Sequence, residues 1–126
     1  MSAALERSKL GKWGEDLAAK HLASLGWTIA ERNWRCSTGE LDLIALEPVP
    51  GRAPNLVVIE VKTKSGLGFG NPLEAITATK LLRLRGLACQ WRRAHPGIGE
   101  GLRIDAIGIT KPPGFAPRIA HVRNIS

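Results

Sequence analysis

The sequence predicts an α/β protein: a single domain spanning residues 1–126, built as a mixed central sheet flanked by helices. Three observations predict it. Two stretches, one ending near Leu25 and one following Thr77, carry apolar residues at helical spacing. Several shorter runs, above all Leu56 to Val61, are rich in β-branched and aliphatic residues and bounded by turn-forming residues, as strands are. The order of these stretches is α-β-β-β-α-β-β. A helix, a three-stranded meander, a crossover helix and a returning strand assemble into one mixed sheet with helices on its faces. At 126 residues the chain is long enough to bury roughly two-thirds of its unfolded surface in one core.

The first helix is expected from about Ser8 or Lys9 to Leu25, stopping at Gly26, a residue suited to the left-handed cap position. Leu10, Leu17, Ala18, His21, Leu22 and Leu25 fall on one apolar arc. Glu15 lies at the border of that arc, whereas Lys12, Asp16 and Lys20 point away from it. Trp27 to Trp34 reads as the first strand and residues 35–39 as a turn into the strand that carries Asp42. Loops are expected over residues 47–55 and 64–72, where Gly and Pro concentrate. The latter holds three glycines between Gly66 and Gly70 and suits a mobile gate. It lacks the Gly-Lys-Ser/Thr ending of a nucleotide-binding loop, so no ATP site is read there.

The second helix is expected from near Thr77 to just before His95-Pro96-Gly97, with a short turn or helix beginning at Asn71-Pro72. Leu81, Leu84, Leu87, Ala88 and Trp91 form its buried stripe, and Arg83, Arg85, Arg92 and Arg93 lie mostly elsewhere. Lys80 falls on the stripe's own azimuth, where a lysine is unusual without an anion nearby. Leu102 to Ile109 and Arg118 to Val122 complete the sheet. Arg103 and Asp105 share a face of the former and read as a structural ion pair.

Charge and composition narrow the function. Lys and Arg number 18 against 11 Asp and Glu, a formal +7, which favours a polyanionic partner such as nucleic acid. Cys36 and Cys89 are too far apart to suggest zinc ligation or a secreted disulfide scaffold. No stretch approaches the ~20 apolar residues of a membrane span, and no signal core follows Met1, so a cytoplasmic location without membrane partners is expected. His21, His95 and His121 are not grouped by spacing, and none is assigned a catalytic role.

The chemistry concentrates between Gly39 and Lys64. Side chains alternate along a strand, so Glu60 and Lys62 project to one face while Val61 points back to the core. If the two strands pair as a hairpin, Asp42, Glu60 and Lys62 converge at one end of the sheet. Two crowded carboxylates repel, and a cation between them relieves the repulsion. Hard oxygen donors suit Mg²⁺ or Mn²⁺, which neutralise charge developing on a phosphodiester. Lys62 then positions or deprotonates the attacking water, or stabilises the pentavalent phosphorus. Glu40 shares a face with Asp42, as a further ligand or a positioning group. The alternative is a solvated Glu-x-Lys pair at an ordinary strand end.

Asp42 with Glu60-Val61-Lys62 resembles the signature of the PD-(D/E)xK, or restriction-endonuclease-like, superfamily, which includes archaeal Holliday-junction resolvases. More closely, Gly14 to Ala18, Arg32 to Arg35, Gly39 to Ala45, Val58 to Lys64 and Arg103 to Asp105 are similar to the motif blocks of the bacterial YraN family of predicted nucleases. That resemblance covers nearly the whole chain and implies a restriction-endonuclease-like αβββαβ core. It further implies that Glu15 joins the metal site, as a first-helix glutamate does in resolvase-like members.

The expectation is therefore a metal-dependent DNA endonuclease. Asp42, Glu60 and the Val61 carbonyl hold Mg²⁺ or Mn²⁺, Glu15 completes the site, and Lys62 assists the water. Lys80, Lys64, Arg35 and Arg32 are the candidate contacts to nucleic-acid phosphates. Branched or flapped DNA is the substrate class the resolvase likeness implies, and resolving a four-way junction needs two sites and hence a homodimer. Two other readings stay open: a nucleic-acid-binding or assembly module on the same fold without turnover, and RNA as the substrate.

Overall fold

The computed structural model describes residues 3–65 and 72–125. Its elements are α1 (Ala3–Ser24), β1 (Thr28–Cys36), β2 (Gly39–Val49), β3 (Arg52–Ser65), a 3₁₀ turn (Pro72–Ala75), α2 (Ala78–Ala94), β4 (Glu100–Lys111) and β5 (Arg118–Val122). The five strands form one sheet in the order β1-β2-β3-β4-β5. All neighbouring pairs are antiparallel except β3 with β4, which run parallel. A parallel pair needs a crossover, and the segment containing α2 supplies it. The expected α/β order and mixed sheet are what the structure contains.

Two apolar layers sandwich the sheet. On one face Ala18 and Leu22 of α1 pack with Leu43, Ala45, Val57, Ile59, Ile107 and Ile109. On the other, Leu84, Leu87, Ala88 and Trp91 of α2 pack with Leu41, Ile44, Leu56, Val58 and Ile104. Leu56 to Ile59 alternate between these layers and all are buried, which is why the stretch reads as continuously apolar.

The helix boundaries depend on local chemistry. α2 begins where Thr77 caps it, its Oγ1 accepting the Lys80 N–H at 3.1 Å. α1 ends at Ser24, one residue short of the expected Leu25, and starts at Ala3 rather than near Ser8. Its opening turns lack apolar spacing that would reveal them in the sequence.

The loop expected over residues 47–55 is a correction. β2 and β3 continue through it to a two-residue turn at Pro50-Gly51, with Val49 opposite Arg52 and φ +79° at Gly51. A register shift between Glu47 and Val49 accommodates Pro48, which cannot donate to a regular ladder. The Gly66–Gly70 loop lies outside the described residues.

The histidines bring a second correction. His21 of α1 and His121 of β5 meet at 3.2 Å between Nε2 and Nδ1, and His121 Nε2 reaches Asp105 Oδ2 at 2.9 Å. Asp105 is fully buried and also accepts from Arg103 Nε at 2.8 Å and from the Asn124 N–H at 2.9 Å. Burial opposes its ionisation, but the bonds from His121, Arg103 and Asn124 outweigh this and hold its pKa at about 2. Burial, and then His121 alongside, lower the pKa of His21. This network clasps α1 to the β4–β5 edge, and the Arg103–Asp105 pair is structural as expected.

Candidate active site

β2 and β3 pair regularly only as far as Leu43 opposite Ile59. Strict alternation would put Leu41 and Leu43 on one face, yet Leu41 lies in the α2 layer and Leu43 in the α1 layer. The alternation therefore breaks at Asp42. The neighbouring strand breaks with it: Arg32 pairs with Leu43 and Trp34 with Leu41, and Asn33 between them has φ +53°. Asn is among the few residues that tolerate this left-handed conformation.

At this break the Asp42 carboxylate replaces the missing ladder bond. Its Oδ2 accepts the Val61 N–H at 2.9 Å. Asp42 thereby sits between two cavities, one on each side of the sheet. The first, about 500 Å³, is lined by Glu15, Val61, Lys62, Thr63 and Lys64 along with Asp42. The second, about 250 Å³, is lined by Thr38, Glu40, Glu60, Lys80 and Arg83 along with Asp42.

Glu60 is buried, and two lysines meet it. Lys80 Nζ lies 2.8 Å from Glu60 Oε1 and Lys62 Nζ lies 3.6 Å from the same oxygen. The start of α2 thus aims Lys80 at the carboxylates, which accounts for a lysine on a buried azimuth. Glu15 is buried on the opposite side, where its Oε1 accepts from Asn33 Nδ2 at 2.8 Å and from Arg32 at 3.1 Å.

The charges perturb one another. Burial, and then the Glu60 carboxylate, push the Asp42 pKa up from 3.8 to about 7, against the stabilising Val61 N–H. The Lys80 ammonium beside it, and then burial, lower the pKa of Lys62. For Lys80, burial works against the charged form, but the bond to Glu60 prevails and its pKa rises.

The structure brings Asp42, Glu60, Val61, Lys62 and Lys80 together, with Glu15 and Lys64 bordering the first cavity. The two arginines are paired with carboxylates at the site's border. Arg32 bridges Glu15 and Asp16, at 3.1 and 2.5 Å, and Arg35 pairs with Glu40 at 2.9 Å on the exposed β1–β2 edge. Sequence reasoning missed Asn33 as a positioning residue. The available signal was an Asn within a strand, where that residue is depleted.

The donor set fits a hard divalent ion. Asp42 and Glu60 offer carboxylate oxygens beside the Val61 main chain, and the Asp42–Glu60 repulsion is what a cation would relieve. Among the described residues no three His, Cys, Asp or Glu side chains close into a ready-made cage. Mg²⁺ does not require one, because it usually keeps several waters and takes one or two carboxylates.

The αβββαβ order, the mixed sheet between two helices, and an Asp on the second strand facing Glu-x-Lys on the third define a restriction-endonuclease-like α/β protein. The chain belongs to the UPF0102 family, which is the YraN family its motif blocks resemble: residues 14–109 match the family described as "Uncharacterised protein family UPF0102". It is 47% identical over 115 residues to a UPF0102 protein of Clavibacter michiganensis subsp. michiganensis, covering 91% of this chain and 93% of that one. A UPF0102 protein of Renibacterium salmoninarum is 44% identical over 117 residues, covering 93% and 95% of the two chains. One of a Nocardioides species is 43% identical over 124 residues, covering 98% and 96%. Among the described residues no helix is long and apolar enough to cross a membrane.

Proposed function

We propose that this protein is a metal-dependent nuclease that hydrolyses phosphodiesters, with DNA as its substrate. The observation that carries the reading is the meeting of Asp42 and Glu60 at the broken end of the β2–β3 ladder, with the Lys62 and Lys80 ammonium groups beside them. Asp42, Glu60 and the Val61 carbonyl would hold Mg²⁺ or Mn²⁺, and Glu15 extends the site from α1. Such an ion, when bound, neutralises charge on the phosphate and makes a water more acidic. Lys62 orients that water or takes its proton, a role that a lowered ammonium pKa favours. Lys80 exchanges its bond to Glu60 for one to a phosphate oxygen. A strand carrying the scissile phosphate is thereby held by charge and not by base identity. Branched or flapped DNA is the proposed substrate form, with a homodimer for a four-way junction.

One observation favours a second reading. Glu60 is already balanced by Lys80 at 2.8 Å and Lys62 at 3.6 Å, so its charge is satisfied without a metal. A module that binds nucleic acid without turnover fits that arrangement. Cleavage of labelled duplex, single-stranded, flap and four-way-junction DNA in Mn²⁺ or EDTA, by wild type and Lys62→Ala, separates the two. Metal-dependent products that disappear in the variant support the nuclease. Equal products from both proteins refute the role of Lys62, and tight binding by folded protein with no products from either favours the module.

A further inference from the structure

α2 carries Lys80, Arg83, Arg85, Arg92 and Arg93 and no acidic residue. The other arginines of the fold are mostly neutralised: Arg32, Arg35, Arg52, Arg103 and Arg123 each pair with a carboxylate. Among the described residues, the four arginines of α2 have no carboxylate within ion-pairing distance, and all four are exposed. A helix that keeps this much unbalanced charge on its outer side suits a polyanion.

Their placement gives the charge a direction. Arg83, Gly86, Gln90 and Arg93 follow one another at three- and four-residue spacing and so share one flank. Gln90 fixes which way that flank faces, because its Nε2 donates to Thr38 Oγ1 of the β1–β2 turn at 3.1 Å. Arg83 lines the cavity that contains Asp42, Glu60 and Lys80. Thr38, Gly39 and Glu40 line both that cavity and an adjoining open groove of about 520 Å³ beside Arg35 and Cys36. The two form one trough leading out of the candidate site: α2 walls its inner part through Lys80, Arg83 and Leu87, and Gln90 meets the β1–β2 turn that lines its outer part. Beyond Asp42 and Glu60 at its inner end, Glu40 is the acidic group lining it, and Arg35 balances it at 2.9 Å.

We infer that this trough is the path of a nucleic-acid strand, with Arg83 and Arg93 gripping separate phosphates as the strand leaves the Asp42–Glu60 site. Ten residues of helix separate the two arginines, a rise of about 15 Å. Along a duplex strand, at about 3.4 Å of axis per phosphate, that distance covers about four phosphates. The inference rests on the nuclease reading for its ligand, and it moves the main grip from Arg32 and Arg35 to α2.

The test is fluorescence-anisotropy titration of a labelled 20-nucleotide DNA, single-stranded and duplex, in EDTA at several salt concentrations. Wild type is compared with Arg83→Ala/Arg93→Ala and with a charge-matched control, Lys20→Ala/Arg118→Ala, whose residues are exposed on α1 and β5. For duplex, losing two phosphate contacts flattens the log–log salt slope by about 1.8, which is roughly a sixtyfold loss of affinity at 0.1 M salt referred to 1 M. The control should lose less than about fivefold, since exposed charges far from the strand are screened. Melting curves should match wild type in both variants, because neither removes a paired or buried group. Equal losses in the two variants would show that only net charge matters and overturn the path. An unaffected Arg83→Ala/Arg93→Ala protein would overturn it too, leaving the nuclease reading intact. Failure of wild type to bind either DNA would likewise overturn the path, while the cleavage test with flap and four-way-junction DNA in Mn²⁺ decides the nuclease reading separately.

Discussion

Replacing Asp42 by Asn removes one charge from the candidate site and little of its shape. The amide oxygen still accepts the Val61 N–H that the carboxylate holds at 2.9 Å. The wild-type carboxyl titrates at about 7 in the folded chain against 3.8 when unperturbed. The folded value is the higher one, so its ionisation works against folding. The contribution to stability is intact below about pH 4, is lost as pH rises to 7, and is flat above that. At about 1.4 kcal/mol per tenfold change in acidity, the loss approaches roughly 4 kcal/mol. Asn has no proton to lose, so Asp42→Asn should be more stable than wild type at pH 8 by up to about 4 kcal/mol. With an unfolding entropy of about 2.1 cal/mol/K per residue, this corresponds to roughly 15 °C in melting temperature. The assay is thermal and urea unfolding followed by circular dichroism at pH 4 and pH 8 in EDTA. An Asp42→Asn protein no more stable than wild type at pH 8, or one with the same advantage at both pH values, would refute the electrostatic account. Adding Mg²⁺ at pH 8 should narrow the gap by stabilising wild type selectively, as a ligand that binds only the folded site must.

Other perturbations test how the site is held. Gly14 of α1 lies against β3 so closely that a Cβ there would overlap the Thr63 hydroxyl. Gly14→Ala should therefore cost about 1–3 kcal/mol in urea unfolding and reduce cleavage by shifting Glu15; an unchanged midpoint would show that the helix–strand contact is not close. Asn33→Gly should keep the left-handed kink and lose only the bond to Glu15. Asn33→Ala loses both, so it should be less stable than Asn33→Gly by about 1 kcal/mol. The reverse order on chemical denaturation would mean that the kink does not depend on residue 33.

How much of this was legible can be judged residue by residue. Thr77 announces the start of α2 because capping is a local bond between a side chain and an N–H three residues on. Glu60 and Lys62 declare a common face through the period of two, and Leu56 to Ile59 declare burial on both faces through their lack of polar alternation. The hairpin around Pro50-Gly51 was hidden by its own composition. Pro48, Pro50 and Pro54 are ordinary loop signals, and only the pairing partner and a register shift make strand out of that stretch.

The sequence by itself determined the order of elements, the apolar layers and the shared face of Glu60 and Lys62, since each depends on spacing along one strand or helix. It also supplied Lys80 as an anomaly awaiting an anion. Only the tertiary structure decided that the anion is Glu60, twenty residues away, and that His21 and His121 share a hydrogen bond across a hundred residues. The same holds for the break at Asn33 and Asp42 that divides the site between two cavities. Those contacts depend on how helices dock on a sheet and where a ladder stops, and both are fixed by packing among residues distant in the chain.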